Sequence, residues 1–485
     1  MDLSSDVVDD HFDLAIVGSG SGNSLLDERF SGMKVALIDR GVFGGTCLNN
    51  GCIPTKMFVI PADYAIAPRE AGRLGVDLTL RATHYDQIRD RVFGRIDPIS
   101  RDGLRWREQS DNVTVFEGTA SFDDPHTLSI RLNDGGGTRI TADRFVLAAG
   151  SRPRWPMIPG LDAPQVAGRV HTSETIMRLD RLPRSLVILG GGFVAAEFAH
   201  VFAALGSKVT VINRSEHLLR QEDQDIAAAF TEEMAGYVSV RLGQQVVGLE
   251  ADDQGLVVLC RDELGTDYDY PADVVLLAAG RIPNGDTLNL DAAGVDMTRD
   301  GFVVVDEFQR TTAPHVWALG DVCSPHMLKH VANAEMRTVQ HNLLHPDDLR
   351  AAPHEAIPQA VFSHPQVASV GATEQHLVAT GRRYVKAVQR YADVAHGWAL
   401  EDERHFVKLL GDPDTGLLLG AHIIGPYAAS LIQSLIQAMS FGMSYRGLAR
   451  GQYWIHPAMT EVVENALLKL EEASAMVSRE ELGGL

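Results

Sequence analysis

Apolar residues fall in short unbroken runs along much of the chain, and the runs repeatedly end at glycine or an acid. Residues 12–17 (Phe-Asp-Leu-Ala-Ile-Val), 34–38 (Lys-Val-Ala-Leu-Ile), 186–190 (Leu-Val-Ile-Leu-Gly) and 208–212 (Lys-Val-Thr-Val-Ile) are of this kind. Runs of this length between turn residues predict strands buried on both faces, as in a parallel sheet. Phe145-Val-Leu-Ala-Ala-Gly150 is echoed by Val274-Val-Leu-Leu-Ala-Ala-Gly280. The echo predicts two copies of one architecture. Helical spacing marks a short stretch to about Phe30, then residues 55–67, 84–108, a stretch ending at Leu205, and the amphipathic segment 428–441. Alternation over 113–116, 128–132 and 406–424, and the run 316–319, read as further strands. Residues 345–358, rich in Pro, His and Ala, read as a linker, and those after Leu470 as a loose charged tail.

The punctuation between strands carries chemistry. Gly18-Ser-Gly20-Ser-Gly22-Asn23 follows the first strand, and the second strand ends at Asp39. That spacing suits a dinucleotide: glycines let backbone approach a pyrophosphate, and the acid bonds a ribose hydroxyl. Asn23 departs from the pattern, because its position normally permits close helix–strand packing. The second copy, Gly190-Gly-Gly192-Phe-Val-Ala195-Ala-Glu197, is complete. Its next strand ends at Asn213-Arg214 instead of an acid, so a 2′-phosphate is not repelled, and Arg214 and Arg220 can bind it. This predicts NADPH rather than NADH.

Two of the four cysteines, Cys47 and Cys52, are five positions apart. Regular helix would carry their Cα atoms about 7.5 Å along its axis, beyond disulfide reach, so a bridge requires a bend, which Gly51 permits. Pro54 suits a first helical turn, whose positive end favours thiolate. Spacing alone leaves a redox pair and two buried thiols open. A zinc site lacks a second Cys/His pair. Cys260 and Cys323 read as packing residues.

A chain of 485 residues predicts two to four domains. The net charge of −21 argues against nucleic acid or an anionic membrane as partner. Residues 1–11 carry no signal-peptide pattern, and no apolar stretch could span a bilayer, so a cytoplasmic, reducing location is expected.

The run Gly44-Gly-Thr-Cys47-Leu-Asn-Asn-Gly-Cys52-Ile-Pro-Thr-Lys56 resembles the active-site segment of the flavin disulfide reductases, the family of glutathione reductase and dihydrolipoamide dehydrogenase. Thr311–Asp321 resembles that family's second flavin motif, Ala360–Gly371 the start of its interface domain, and His456-Pro457 with Glu461 its acid–base dyad. Gly20–Ser24, Val92–Ile99, Lys329–Asn333 and Gly451–Pro457 are most similar to its mycothione-reducing branch.

The resemblance implies an α/β fold: two Rossmann-like nucleotide-binding domains plus a C-terminal α+β dimerisation domain. The expected boundaries are 1–155 with 285–350 for FAD, 156–284 for NADPH, and 355–485 for the interface. FAD would be held by Gly18, Gly20, Gly22, Asp39, Gly45, Thr46, Lys56, Gly150 and Asp321. NADPH would be held by Gly190, Gly192, Glu197, Arg214, Arg220 and Gly280. Lys56 and Glu197 would pair beside the flavin. A Cys47–Cys52 disulfide would take electrons from the flavin, with Cys52 facing it and Cys47 attacking the substrate. His456, oriented by Glu461, would protonate the departing thiol. Since His456 and Cys47 lie in different domains, an obligate homodimer acting on a small-molecule disulfide is expected. The alternatives within the fold are an NAD-linked dihydrolipoamide dehydrogenase, against which Asn213-Arg214 argues, and a metal-ion reductase, whose C-terminal cysteine pair is missing.

Overall fold

The computed structural model describes residues 10–252 and 255–483. Residues 1–9, most of the segment read for a signal peptide, lie outside it. No described helix is long and apolar enough to cross a membrane.

Two sheets carry the echoed runs, and the first is mixed: Val113–Asp124, Thr127–Leu132 and Gly137–Leu147 pair antiparallel in turn. Strand Asp10–Val17 lies between Val35–Asp39 and Gly137–Leu147, parallel to both. Val316–Ala318 adds beyond Gly137–Leu147. The second sheet is parallel throughout, in the order Ser239–Arg241, Lys208–Ile212, Ser185–Leu189, Val274–Leu277, Val170–His171. Gly18 sits at φ +115°, and a Cβ there would lie 2.1 Å from the Ala148 carbonyl oxygen. Gly190 repeats this at φ +129°, 2.3 Å from the Ala278 oxygen. Both positions exclude side chains for the same reason, so the repeat read from the sequence is a geometric one.

The helices are α1 (Gly45–Asn49), α2 (Cys52–Ala71), α3 (Tyr85–Glu108), α4 (Phe193–Leu205), α5 (Gln224–Ala235), α6 (Lys329–Leu344) and α7 (Glu461–Gly483), with shorter ones in the C-terminal part. The helix expected up to Phe30 does not form. Two 3₁₀ turns, Asn23–Leu25 and Glu28–Phe30, stand in its place. Arg107, at the end of α3 and 6% exposed, donates to the Asn23 and Leu26 carbonyls at 2.8 and 3.1 Å, acceptors a continuing α-helix would need. Its Nε also donates to Asn23 Oδ1 at 2.6 Å.

Residues 358–424 supply an antiparallel sheet in the order Pro358–Val361, Val367–Gly371, Leu418–Ile424, Phe406–Gly411, Val385–Arg390. Helix α7 packs on it through Val462, Val463, Ala466, Leu467 and Leu470, all fully buried. The tail expected after Leu470 is therefore helical to Gly483, because Ala473, Ser474 and Val477 extend the same stripe. The amphipathic segment 428–441 is two helices, Ala428–Leu431 and Gln433–Ser440. Lys408 of this sheet is 1% exposed and pairs with Asp223 and Asp225 at the start of α5 and with Glu374, at 2.6–2.7 Å. It ties the second nucleotide-type unit to the C-terminal sheet.

Candidate active site

The chain breaks between α1 and α2, which places Cys47 and Cys52 side by side. A Cβ on Gly51 would lie 3.0 Å from the Thr46 oxygen and 3.4 Å from Cys47 Cα, so any side chain there would push the two turns apart. Both cysteines are free thiols. A hydrogen bond from the Cys52 thiol lowers Cys47 to about 7, and the Lys329 charge helps against burial. Cys52 is raised, first by that same bond and then by burial. Cys47 is thus the thiol that ionises near neutrality. Cys260 and Cys323 are buried, the first pushed up to about 11 and the second far above its ordinary value, as expected for packing thiols.

Cys47 and Cys52 open into a cavity of about 1840 Å³ that reaches both glycine turns. The expected flavin-side residues Gly18, Gly20, Asp39, Gly45, Thr46, Lys56, Gly150 and Asp321 line it. So do Gly190, Gly192, Glu197, Arg214, Arg220 and Gly280. Gly22 does not; its Cβ would meet the Gly18 oxygen at 2.5 Å, so it serves packing. His456 and Glu461 are also absent from the lining.

The residues present fit a flavin dinucleotide. A Cβ on Gly45 would sit 2.6 Å from Gly20 Cα, so the turn and the start of α1 form a cradle bare of side chains. Asp39 receives the Ser19 amide and hydroxyl at 2.7 and 2.5 Å, pinning the turn, and still faces the cavity. Asp321 accepts from the Ser151 hydroxyl at 2.6 Å, and Arg281 donates to that hydroxyl at 2.7 Å. Ser151 and Arg281 escaped the sequence reading because each is one residue past a glycine turn, with no motif of its own.

The second turn fits a phosphorylated nicotinamide dinucleotide. Asn213 Nδ2 donates to the Ser215 and His217 carbonyls at 3.3 and 2.9 Å. An aspartate could not donate, so the missing acid has a structural reason as well. Arg214 and Arg220 are exposed and take no carboxylate partner among the described residues.

Lys56 and Glu197 both face the cavity but do not meet as an ion pair. The Lys56 ammonium lies over the Phe362 ring, 4.0 Å from its centroid, and burial lowers its pKa. Burial raises Glu197 to about 7, against the Phe362 amide that donates to it at 2.9 Å. Phe362 therefore contacts both expected partners, its ring under the Lys56 ammonium and its amide on the Glu197 carboxylate, while the two charges still act on each other.

His456 Nδ1 lies 2.7 Å from Glu461 Oε1, with His456 72% exposed and Glu461 17%. Pro457 and the first turn of α7 set that approach. Phe441, Tyr453 and Ile455, also in the C-terminal part, are exposed apolar side chains.

The comparisons agree with this geometry. The family model "Pyridine nucleotide-disulphide oxidoreductase" matches residues 12–338, and that family's dimerisation domain matches 357–467. A mycothione reductase of Mycobacterium tuberculosis is 48% identical over 95% of this chain and 99% of its own. A mercuric reductase of Streptomyces lividans is 34% identical, covering 93% and 94%. Among solved structures, the HOCl-induced flavoprotein disulfide reductase RclA of Escherichia coli superposes with a TM-score of 0.81 at 27% identity, over 94% of this chain and 99% of that one. With two nucleotide cradles meeting at a cysteine pair, the chain belongs to the pyridine nucleotide-disulphide oxidoreductase family.

Proposed function

We propose that the protein is a homodimeric, FAD-dependent reductase that uses NADPH to convert mycothiol disulfide into two molecules of mycothiol. The observation that carries the reaction type is the single cavity in which both nucleotide cradles meet the Cys47–Cys52 pair. The 48% identical mycothione reductase supports the substrate. We assign residues 1–155 with 285–350 to the FAD domain, 156–284 to the NADPH domain and 355–485 to the interface domain. The sheet membership described above supports this division. A reducing, cytoplasmic setting fits a chain with only four cysteines in 485 residues.

When bound, FAD supplies a two-electron carrier between NADPH and the cysteine pair. Gly18, Gly20, Gly45, Thr46, Gly150, Asp39 and Asp321 hold it, and Arg214 and Arg220 grip the 2′-phosphate of NADPH. Lys56 and Glu197, which line the same cavity, would hold the flavin there. In the reduced pair, Cys47 is the thiolate near neutral pH and attacks one sulfur of the substrate. The S–S bond breaks, and His456, oriented by Glu461 and delivered by the second subunit, gives the leaving thiolate a proton. Cys52 then attacks the Cys47 sulfur while its proton passes through His456 to the second leaving sulfur, which closes the Cys47–Cys52 disulfide and frees the second thiol. NADPH, one proton and one disulfide become NADP⁺ and two thiols.

The test is steady-state reduction of mycothiol, glutathione and lipoamide disulfides with NADPH and with NADH. Turnover of mycothiol disulfide with NADPH is expected to dominate. Preference for glutathione disulfide, or for NADH with lipoamide, would overturn the assignment.

A further inference from the structure

The two nucleotide cradles differ in one respect. The second glycine turn feeds α4, a 13-residue helix, whose positive end supplies about half a unit charge to a phosphate. The first feeds only two three-residue 3₁₀ turns. A pyrophosphate over Gly20 and Ser21 would find no helix beneath it.

A side chain stands where that charge is missing. Lys329 Nζ donates to the Ser21 hydroxyl at 2.7 Å, inside the turn itself, although the two residues are 308 positions apart. Lys329 is the first residue of α6, a 16-residue helix with no acid in its first turn. A cation at a helix N-terminus opposes the macrodipole. No carboxylate pairs with it among the described residues. Lys329 and Ser21 both line the cavity. An ammonium kept against its own helix dipole, with no carboxylate partner among the described residues, beside a bare glycine turn, is arranged for an anion that arrives with a ligand.

We propose that Lys329 binds the pyrophosphate of the flavin dinucleotide, taking over the electrostatic role of the helix that the first nucleotide unit lacks. This rests on the reading above that FAD occupies the first cradle. Arg107 is the positioning residue beneath it: by holding the Asn23 and Leu26 carbonyls it keeps the turn in its non-helical shape.

The experiment compares wild type with Lys329→Met and Lys329→Arg. FAD dissociation is followed by the fluorescence of released flavin at low and moderate salt, and the midpoint potential of bound flavin is measured alongside. Loss of one charge-assisted contact predicts FAD binding about 10- to 100-fold weaker in Lys329→Met, with a shallower salt dependence. Lys329→Arg is expected to recover most of the affinity, and the potential to stay near that of wild type. Unchanged FAD affinity in Lys329→Met overturns the proposal. So does an altered potential at unchanged affinity, which would assign the lysine to the reduced ring or to Cys47. If Lys329→Met does not accumulate folded, Lys329→Gln carries the same comparison. Wild-type protein that takes up no FAD at all would instead sink the preceding functional reading.

Discussion

The ionisation of Cys47 offers a sharp test, because it is the one thiol of the four that the structure lowers. Its ordinary value is 9.0, and the structure brings it to about 7. At pH 7 an unperturbed thiol of that kind is about 1% ionised and Cys47 about half, a gain of about 50-fold in thiolate. Nucleophilicity falls with basicity, and a Brønsted slope of about 0.45 over this interval removes about eightfold. The net expectation is alkylation by iodoacetamide about sixfold faster than an unperturbed cysteine at pH 7. The leading cause is the hydrogen bond from Cys52, so Cys52→Ala should move the alkylation midpoint upward while Cys52→Ser, which keeps a donor, moves it less. Pre-reduced protein is pulsed with iodoacetamide from pH 5.5 to 9.5, and peptide masses report the site. Cys260 and Cys323 do not compete, being buried and raised. A midpoint near 9 at Cys47, or first labelling at Cys52, would refute the reasoning.

Other expectations follow from the same geometry. Mixing His456→Ala chains with Cys47→Ser chains should restore part of the activity through hybrid dimers, and no rescue after verified subunit exchange would count against a shared site. Arg214→Ala and Arg220→Ala should each raise KM for NADPH about tenfold or more with little effect on NADH, as expected for lost phosphate contacts. Lys408→Met strands the buried Asp223 carboxylate and should cost about 3–5 kcal/mol in denaturant unfolding. Burial pushes Glu374 up, but bonds from Lys408, Lys386 and Tyr384 outweigh it and hold it at about 2 against an ordinary 4.5. Its stabilising contribution is therefore whole above about pH 4.5 and fades as pH falls toward 2. An acid-unfolding curve unchanged by Glu374→Gln would contradict that role.

The inner strands of the two sheets were legible because a strand buried on both faces reads as an unbroken apolar run, and Lys208–Ile212 is found where that run predicts, whereas the short strands Val170–His171 and Ser239–Arg241 carry no such run. The glycines were legible because Gly18 and Gly190 lie in a backbone region that side chains rarely enter, with a carbonyl where a Cβ would stand. The failures came where a distant residue changes the local outcome. The helix before Phe30 is cancelled by Arg107, more than seventy positions downstream. The tail after Leu470 is helical because a sheet formed by residues 358–424 offers a surface to its apolar stripe. Lys56 and Glu197, expected to pair beside the flavin, both face the cavity and act on each other through space, and the Phe362 ring and amide contact one each, which the sequence did not signal.

By itself the sequence determined the chemistry: which residues carry sulfur, charge or no side chain, and at what local spacing, since reactivity belongs to side-chain type and bends belong to neighbouring dihedrals. The tertiary structure decided which of those groups meet. Cys47 gains a donor in Cys52 and a cation in Lys329, whereas His456 remains outside the cavity of its own chain. The Cys47–Cys52 contact needs a bend between neighbouring helices, whereas the Lys329 contact needs packing between segments far apart in the chain, and burial and charge at each site are set there.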